Sequence, residues 1–266
     1  MSTPAEGFAD FYDALAPLFD LMTDWEARLA TEGPFLRHVL QRQGATRVLD
    51  AACGSGGHAL ALARWGYEVA GADLSRGMIA LAERKAAAAG LKVPFAVAGL
   101  AHLPDAFAGT APFDAALCLG NSLPHLLTPG DLEAALRGLA GVLRPGGLLI
   151  TQNLNYDLRW RTRPRSIGVQ SGMLDGQEHL VWRFADYDLT AVRIAFHIAV
   201  FRRARDGWHV QTYTTPQRPL FYADLLAALA AAGFTDVEVF GQMTWPAPAF
   251  APDLSPDLVA VARKGR

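Results

Sequence analysis

The 266-residue sequence predicts an α/β fold built on a seven-stranded sheet with parallel strands. From Arg47 onward, short apolar runs alternate with helix-length segments, which is typical of parallel strands joined by right-handed crossover helices. The chain is 51% hydrophobic, enough for one large core. After the fifth predicted strand the pattern changes to alternating apolar and polar residues, which indicates an antiparallel β insertion.

Residues 1–44 are expected to form helices that precede the sheet. Apolar residues recur three and four positions apart from Phe8 to Met22, and a second helix is predicted from Gly33 to Gln43, ended by Gly44. We expect this segment to be a helical lid on a domain formed by residues 45–266.

The elements of the sheet are predicted in order along the chain. Strands are expected at Arg47–Asp50, Glu68–Asp73, Phe95–Gly99, Phe113–Leu119, Leu148–Asn153, Thr235–Phe240 and Leu258–Arg263. Helices are expected at Gly57–Trp65, Ser75–Ala89, Asp131–Leu143 and Phe221–Ala232, with Ser75 as an N-cap.

Residues 155–218 are the predicted insertion. Residues 179–215 alternate, and Asp206-Gly207 predicts a hairpin turn, so an antiparallel meander is expected. The preceding polar segment carries four arginines and is expected to be a solvated loop. The alternative is that one arginine reaches an anionic group of a substrate, and Arg218 has the same two interpretations. The four arginines are Arg159, Arg161, Arg163 and Arg165.

Composition excludes several classes of function. The formal net charge of −2 argues against a nucleic-acid partner. No apolar run approaches the ~20 residues that span a bilayer, and the N-terminus lacks the basic region of a secretion signal. Two distant cysteines, Cys53 and Cys118, suit a reducing cytoplasm and predict neither a disulfide framework nor a metal site. Whether the chain forms a homo-oligomer stays open.

A turn of small residues after the first strand predicts a nucleotide site. In open parallel sheets, ligands bind at the carboxyl ends of strands, where residues 50–56 (DAACGSG) lie. Small side chains let the backbone approach a ligand, and the next helix presents its positive N-terminus. Asp73 ends the next strand, where a carboxylate can accept hydrogen bonds from both hydroxyls of a ribose.

Asp50 narrows the choice of ligand. The third glycine position of a dinucleotide fingerprint is Ala59, which that fingerprint tolerates. The Asp50 carboxylate, in contrast, would repel a pyrophosphate but attract an ammonium group. Asp50 therefore favours a ligand that is cationic at that end over a nicotinamide or flavin dinucleotide.

These motifs resemble those of class I S-adenosylmethionine-dependent methyltransferases, which have a Rossmann-like fold. "VLDAACGSG" resembles their first motif, with Ala52 in place of a glycine, and "GADLSRGMI" resembles the second. "AGLAHLP", "FDAALCLGNSLPHL" and "LRPGGLLI" match the other three in position. The resemblance covers about residues 45–263 and implies S-adenosylmethionine as the cofactor.

The resemblance also implies a set of cofactor contacts. Asp73 is expected to bind the ribose, with Leu74 and Met78 against the adenine. An acid is usual where Gly99 stands, so the backbone of Leu100 is expected to meet the adenine amino group. The full implied set is Tyr12, Arg28, Asp50, Ala52, Gly54, Gly56, Asp73, Leu74, Met78, Gly99, Leu100, Leu119, Gly120 and Ser122.

A narrower resemblance is to the glycine N-methyltransferase group, through "FYDALAPLFD", "LGNSLPHL", "NYD" and the insertion after strand five. It implies that Tyr12 and His125 lie beside the cofactor, that Arg28 meets its carboxylate and that Asn121 faces the acceptor. That group carries an arginine just before Asn-Tyr-Asp, which holds the carboxylate of the amino acid. Leu154 stands at this position, which argues against glycine as the acceptor.

The expected function is methyl transfer to a small molecule, more on nitrogen than on oxygen. Such a displacement depends mainly on placement of the reactants, and Tyr12, Asn121 and His125 are the candidates for that role. Their alternative interpretations are core packing, turn capping and helix start, respectively. The alternative functions are methyl transfer to a macromolecule or an oxygen acceptor, and non-catalytic binding of S-adenosylmethionine.

Overall fold

The computed structural model describes residues 4–266, with side chains from Ala9 onward. Eleven strands are found in this range. Those of the larger sheet are β1 (Arg47–Asp50), β2 (Glu68–Asp73), β3 (Phe95–Val97), β4 (Phe113–Cys118), β5 (Leu143–Leu154), β10 (Phe234–Phe240) and β11 (Asp257–Lys264). Those of the smaller sheet are β6 (Ser166–Leu174), β7 (Gln177–Asp188), β8 (Arg193–Ala204) and β9 (Gly207–Gln217).

The larger sheet has the order β10-β11-β5-β4-β1-β2-β3. Strands β1 to β5 are parallel, and β11 runs antiparallel to both β5 and β10. The smaller sheet is an antiparallel meander in the order β6-β7-β8-β9. The predicted fold, a seven-stranded Rossmann-like sheet with an antiparallel insertion after the fifth strand, is confirmed.

Helices cover both faces of the larger sheet. They are α1 (Pro4–Leu15), α2 (Trp25–Arg42), α3 (Gly57–Arg64), α4 (Arg76–Ala88), α5 (Leu103–Ala106), α6 (Pro129–Val142), α7 (Tyr156–Thr162) and α8 (Tyr222–Ala231). Side chains of α6 and α8 pack in the core on one face, and those of α2 and α3 on the other. Burial on both faces explains why the central strands are almost continuously apolar.

Strand β1 fixes the position of the site. It pairs with β2 on one side and β4 on the other, with Asp50 opposite Gly71 and Leu117. After β1 the chain continues to β2 on one side, and after β4 it continues to β5 on the other side. The carboxyl ends of β1 and β4 therefore border an open crevice.

Two local predictions were wrong. The second helix begins at Trp25 rather than Gly33, because the Asp24 side chain accepts a hydrogen bond from Ala27 N at 3.0 Å and caps it. The segment expected as a solvated loop forms α7 and the start of β6, with Asn155 as the cap of α7. Trp160 gives α7 an apolar contact with the Phe221 ring, 6.2 Å away between centroids.

The N-terminal segment lies between the two sheets. Apolar side chains of α1 and the turn after it pack on one face of the smaller sheet; the buried members are Phe11, Leu15, Leu18, Met22, Val181, Ile198 and Val200. Within the described residues, no helix is both long and apolar enough to cross a membrane.

Candidate functional site

A cavity of about 530 Å³ opens where β1, β2 and β4 end; we call it the strand-end cavity. Its walls contain every predicted cofactor contact except Asp50 and Gly56. These lining residues are Tyr12, Arg28, Ala52, Gly54, Asp73, Leu74, Met78, Gly99, Leu100, Leu119, Gly120 and Ser122. Residues that are distant in sequence therefore meet around one volume, as the motif spacing predicts.

The Asp73 carboxylate is held by the backbone at the edge of this cavity. One oxygen accepts from Gly54 N and the other from Ser75 N, each at 2.9 Å. Burial raises the pKa of Asp73, and these hydrogen bonds oppose the shift. A carboxylate has about four acceptor positions, so each oxygen keeps capacity for a hydroxyl group.

Asp50 and Gly56 lie behind the cavity wall. Asp50 is 1% exposed, and its Oδ2 atom has no hydrogen-bond partner. Burial raises its pKa to about 6; the Asp73 charge adds to the shift and His58 opposes it. Gly56 has a φ of +81°, and a Cβ there would lie 2.9 Å from Ala82 Cβ. Gly56 thus serves the packing of the turn, while Asp50 is a buried acceptor that a cationic ligand would compensate.

Arg28 lies on α2 in a short chain of charges. Its Nε donates to Glu32 Oε1 at 3.0 Å, and Glu32 Oε2 lies 2.6 Å from His58 Nε2. The far end of the guanidinium is directed toward Gly120, where a Cβ would lie 3.9 Å from Arg28 Nη2. This end is positioned to meet an anionic group in the cavity.

Trp25 was missed by the sequence analysis. Its ring lies on the start of α3, where a Cβ on Gly57 would come within 2.3 Å of the ring. Asp20 accepts from Trp25 Nε1 at 2.8 Å and from Ser55 Oγ at 2.6 Å. These contacts hold the N-terminal segment against the turn that follows β1. In the sequence, the second glycine of the Gly56-Gly57 pair was the one indication that a bulky side chain packs against this turn.

A second cavity of about 300 Å³ adjoins the first; we call it the insertion cavity. The two share Tyr12, Phe19, Arg28, Gly120 and His125. Its remaining wall comes largely from β5, α7 and the inner face of the smaller sheet. Those residues include Asn121, Gln152, Leu154, Tyr156, Arg159, Ile167, Arg183, Ala185, Tyr187, Ile194, Phe196, Ile198 and Gln217.

One chain of hydrogen bonds connects the three catalytic candidates. Asn121 Nδ2 donates to Tyr156 Oη at 2.9 Å, and Tyr156 Oη donates to Gln217 Oε1 at 3.1 Å. Gln217 Nε2 then donates to His125 Nε2 at 3.1 Å. His125 Nε2 also lies 3.3 Å from Tyr12 Oη. Asn121 is further fixed through its own oxygen, which accepts from Leu154 N at 3.0 Å.

Besides the charged Arg28, the junction contains Tyr12, His125 and Tyr156, which are uncharged near neutral pH. Burial lowers the pKa of His125 to about 3. Burial also raises the pKa of the Tyr12 phenol well above its ordinary value and that of Tyr156 to about 12. The junction therefore offers neutral hydrogen-bonding groups and no strong base, which suits placement of a reactant better than proton abstraction.

The arginine-rich segment divides into two kinds of residue. Arg159 lines the insertion cavity, whereas Arg161 and Arg165 are exposed and pair with Asp253 and Asp186. Arg163 is exposed at the end of α7. Arg218 is held elsewhere, with its Nη2 atom 3.5 Å from Asp224.

Comparison with known sequences identifies the family of this chain. A methyltransferase-domain family matches residues 48–147. The glycine/sarcosine N-methyltransferase of Parasynechococcus marenigrum is 31% identical over 239 residues, which are 89% of this chain and 78% of that protein. That of Halorhodospira halochloris is 34% identical over 148 residues, covering 56% of this chain and 54% of that protein. The chain therefore spans most of the first relative and about half of the second.

Comparison with solved structures supports the fold. An S-adenosylmethionine-dependent methyltransferase from Clostridium acetobutylicum superposes with a TM-score of 0.71 at 17% identity, covering 97% of this chain and 99% of that one. The sugar N-methyltransferase KedS8 from Streptoalloteichus gives 0.69 at 24% identity, covering 90% and 88%. The chain belongs to the class I S-adenosylmethionine-dependent methyltransferases, in the group that includes the glycine/sarcosine N-methyltransferases, and S-adenosylmethionine is its cofactor.

Proposed function

We propose that this enzyme transfers a methyl group from S-adenosylmethionine to the amine nitrogen of a small molecule held in the insertion cavity. One observation carries the proposal: the two cavities share the neutral polar groups of Tyr12 and His125, whose Oη and Nε2 atoms lie 3.3 Å apart. The names of the relatives, which are N-methyltransferases, support nitrogen as the acceptor atom.

The residues of the strand-end cavity fit the cofactor in each of its parts. Asp73 binds the ribose hydroxyls with its remaining acceptor positions. The unpartnered oxygen of Asp50 compensates the ammonium, directly or through water. Arg28 meets the carboxylate, and the adenine lies among apolar side chains and backbone. The residues proposed for the adenine are Leu74, Met78, Gly99 and Leu100.

Placement is the main contribution of the protein to the reaction. When bound, S-adenosylmethionine would supply a methyl group on a positively charged sulfur. A neutral amine would then form the N–C bond in line as the C–S bond breaks, S-adenosylhomocysteine would leave as a neutral thioether, and the methylated ammonium would lose its proton to water. Tyr12 Oη accepts an N–H of the amine and holds its lone pair toward the strand-end cavity. Burial at the junction favours the uncharged form of the amine. Asn121 positions Tyr156, and through Gln217 it helps to fix His125.

The N-terminal residues 1–44 serve as the proposed lid. Tyr12, Phe19, Trp25 and Arg28 line the strand-end cavity, so a ligand there is covered by this segment. Asp13 Oδ1 accepts from Gly77 N at 2.8 Å and adds a second attachment at the start of α4. Residues 1–3 lie outside the described residues.

A labelled-methyl transfer screen over small amines, amino acids and phenols tests the proposal. We expect turnover with amines and none with phenols. Turnover restricted to phenols would contradict the nitrogen acceptor. Tight binding of S-adenosylhomocysteine without turnover of any small acceptor would contradict methyl transfer to small molecules altogether.

A further inference from the structure

The insertion cavity contains more positive charge than the protein balances. Three guanidinium groups line it, those of Arg28, Arg159 and Arg183, against the single carboxylate of Glu32. Glu32 is already paired with Arg28 at 3.0 Å. Neither Arg159 nor Arg183 has a carboxylate within 4.0 Å in the part of the chain that the structure describes.

Both arginines also have buried atoms without a hydrogen-bond partner, namely Arg159 Nη2 and Arg183 Nε. Arg159 has a side-chain hydrogen bond with Tyr187 but no carboxylate partner. A guanidinium stays protonated in proteins, so one without a counter-charge in a partly desolvated site is costly. Burial lowers the pKa of Arg183, and the nearby charge of Arg28 lowers it further. Asp257, whose pKa is raised by burial to about 6, interacts with Arg159 only at longer range. A bound anion would remove this cost.

The two arginines come from different elements of the insertion. Arg159 lies on α7, and Arg183 lies on β7 opposite Gly168 of β6. A Cβ at Gly168 would be 3.6 Å from Arg183 Nη2, so no side chain separates this guanidinium from its neighbour strand. Both line the same 300 Å³ volume, so a molecule bound there has access to both guanidinium groups.

Part of the remaining wall is apolar, and the cavity is larger than a minimal amino acid requires. At ~30 Å³ for each water molecule, 300 Å³ holds roughly ten non-hydrogen atoms. Apolar side chains of the smaller sheet and its flanks supply much of the wall, including Ile167, Ala185, Ile194, Phe196 and Ile198. An acceptor that fills it has an apolar body.

We propose that the methyl acceptor is an amine that also carries an oxyanion and an apolar body, with the oxyanion bound by Arg159 and Arg183. This inference rests on the proposed function, because it specifies the acceptor of the same site. The amine lies at Tyr12 and His125, and the oxyanion contacts the arginines of the insertion. Planar guanidinium groups bind carboxylate and phosphate oxygens through paired hydrogen bonds.

Matched pairs of amines test the inference by labelled-methyl transfer. The pairs are phenylalanine with phenethylamine, tyrosine with tyramine, and O-phosphoethanolamine with ethanolamine; the last pair distinguishes phosphate from carboxylate. We expect the anionic member of at least one pair to have a kcat/KM more than tenfold higher. Arg183→Gln and Arg159→Gln should each reduce that ratio about tenfold, mainly through KM. Arg183→Lys should keep part of it, and Arg161→Gln, on the exposed side of α7, should keep all of it.

Binding provides a second readout that does not depend on turnover. With S-adenosylhomocysteine present, phenylacetate should raise the Tm of the wild-type enzyme and of Arg161→Gln, but not that of Arg183→Gln. Equal kcat/KM for both members of every pair would overturn the oxyanion site and leave amine methylation standing. No turnover of any amine, with phenylacetate still stabilising the wild-type enzyme, would overturn the proposed function instead. A lowered Tm of unliganded Arg183→Gln would indicate a structural role for Arg183 and contradict the inference.

Discussion

The two adjoining cavities differ in how they are built. The strand-end cavity is formed largely by turns that follow β1, β2, β3 and β4, each a short continuous stretch of sequence, and the N-terminal segment covers it. The insertion cavity is formed mainly by side chains on the inner face of a separate sheet and by α7. In the proposed assignment, local motifs hold the cofactor, whereas side chains that only the packing of the insertion brings together hold the acceptor.

The cavities also differ in charge. The buried carboxylate of Asp50 and the partly exposed carboxylate of Asp73 lie at the strand-end cavity, and arginines dominate the insertion cavity. Opposite charges favour binding of the cationic end of the cofactor on one side and of an anionic acceptor on the other. Variants of Asp73, Tyr12 and Asp50 test this division of roles.

The largest effect is expected for Asp73→Ala. Loss of two charge-assisted hydrogen bonds to the ribose, each worth about 1.5–3 kcal/mol, should weaken binding of S-adenosylhomocysteine at least a hundredfold by calorimetry. Asp186→Ala, which removes a half-exposed carboxylate on the smaller sheet, is the matched control and should bind normally. Unchanged affinity of Asp73→Ala would show that the ribose is held elsewhere.

Tyr12→Phe should separate catalysis from cofactor binding. The ring that lines both cavities remains, and only the hydroxyl near His125 is lost. An unsatisfied polar group costs about 1–3 kcal/mol, so kcat should fall roughly 30-fold. The Kd of S-adenosylhomocysteine should change less than threefold. Tyr67→Phe, far from both cavities, serves as the control. A changed cofactor Kd with an unchanged kcat would place Tyr12 in cofactor binding alone.

The smallest of the three effects is a pH dependence from Asp50. Its pKa of about 6 lies above the ordinary 3.8, so the carboxyl becomes protonated in the folded enzyme below pH 6. Because the cofactor ammonium favours the ionised form, affinity for S-adenosylhomocysteine should fall about tenfold between pH 7 and pH 5. Calorimetry in two buffers should detect proton release on binding near pH 6.

Asp50→Asn is the control for this pH dependence. This variant should bind S-adenosylhomocysteine more weakly at pH 7, and its affinity should change little between pH 7 and pH 5. That result would assign the pH dependence to Asp50 and not to Asp73 or Asp257. The free energy of unfolding of the cofactor-free enzyme changes with pH in the opposite direction to cofactor affinity. Because the folded state holds the Asp50 proton more tightly than the unfolded chain does, Asp50 destabilises the folded state as pH rises from about 4 to 6. A pH dependence that persists in Asp50→Asn would assign it to another group.

Sequence reasoning succeeded wherever a local rule constrains the backbone. Ser75 was predicted as a cap, and its side chain accepts from Met78 N at 3.1 Å. Asp73 was predicted at a strand end beside a glycine-rich turn, and Gly54 N donates to it. It failed at residues 155–171, because an arginine-rich composition does not show that Trp160 packs against Tyr187 and Phe221.

The alternation of strands and helices was enough to predict the fold, and the resemblance of the motifs around Asp50 and Asp73 was enough to predict the cofactor. Each depends on hydrogen bonds and sterics within a few residues, so the information lies in short segments. The acceptor site depended on which faces of β7 and β9 turn inward and on how α7 packs. Arg183 and Gln217 reach the cavity only because the smaller sheet covers the N-terminal segment, and burial by distant residues is not visible in a strand's own alternation.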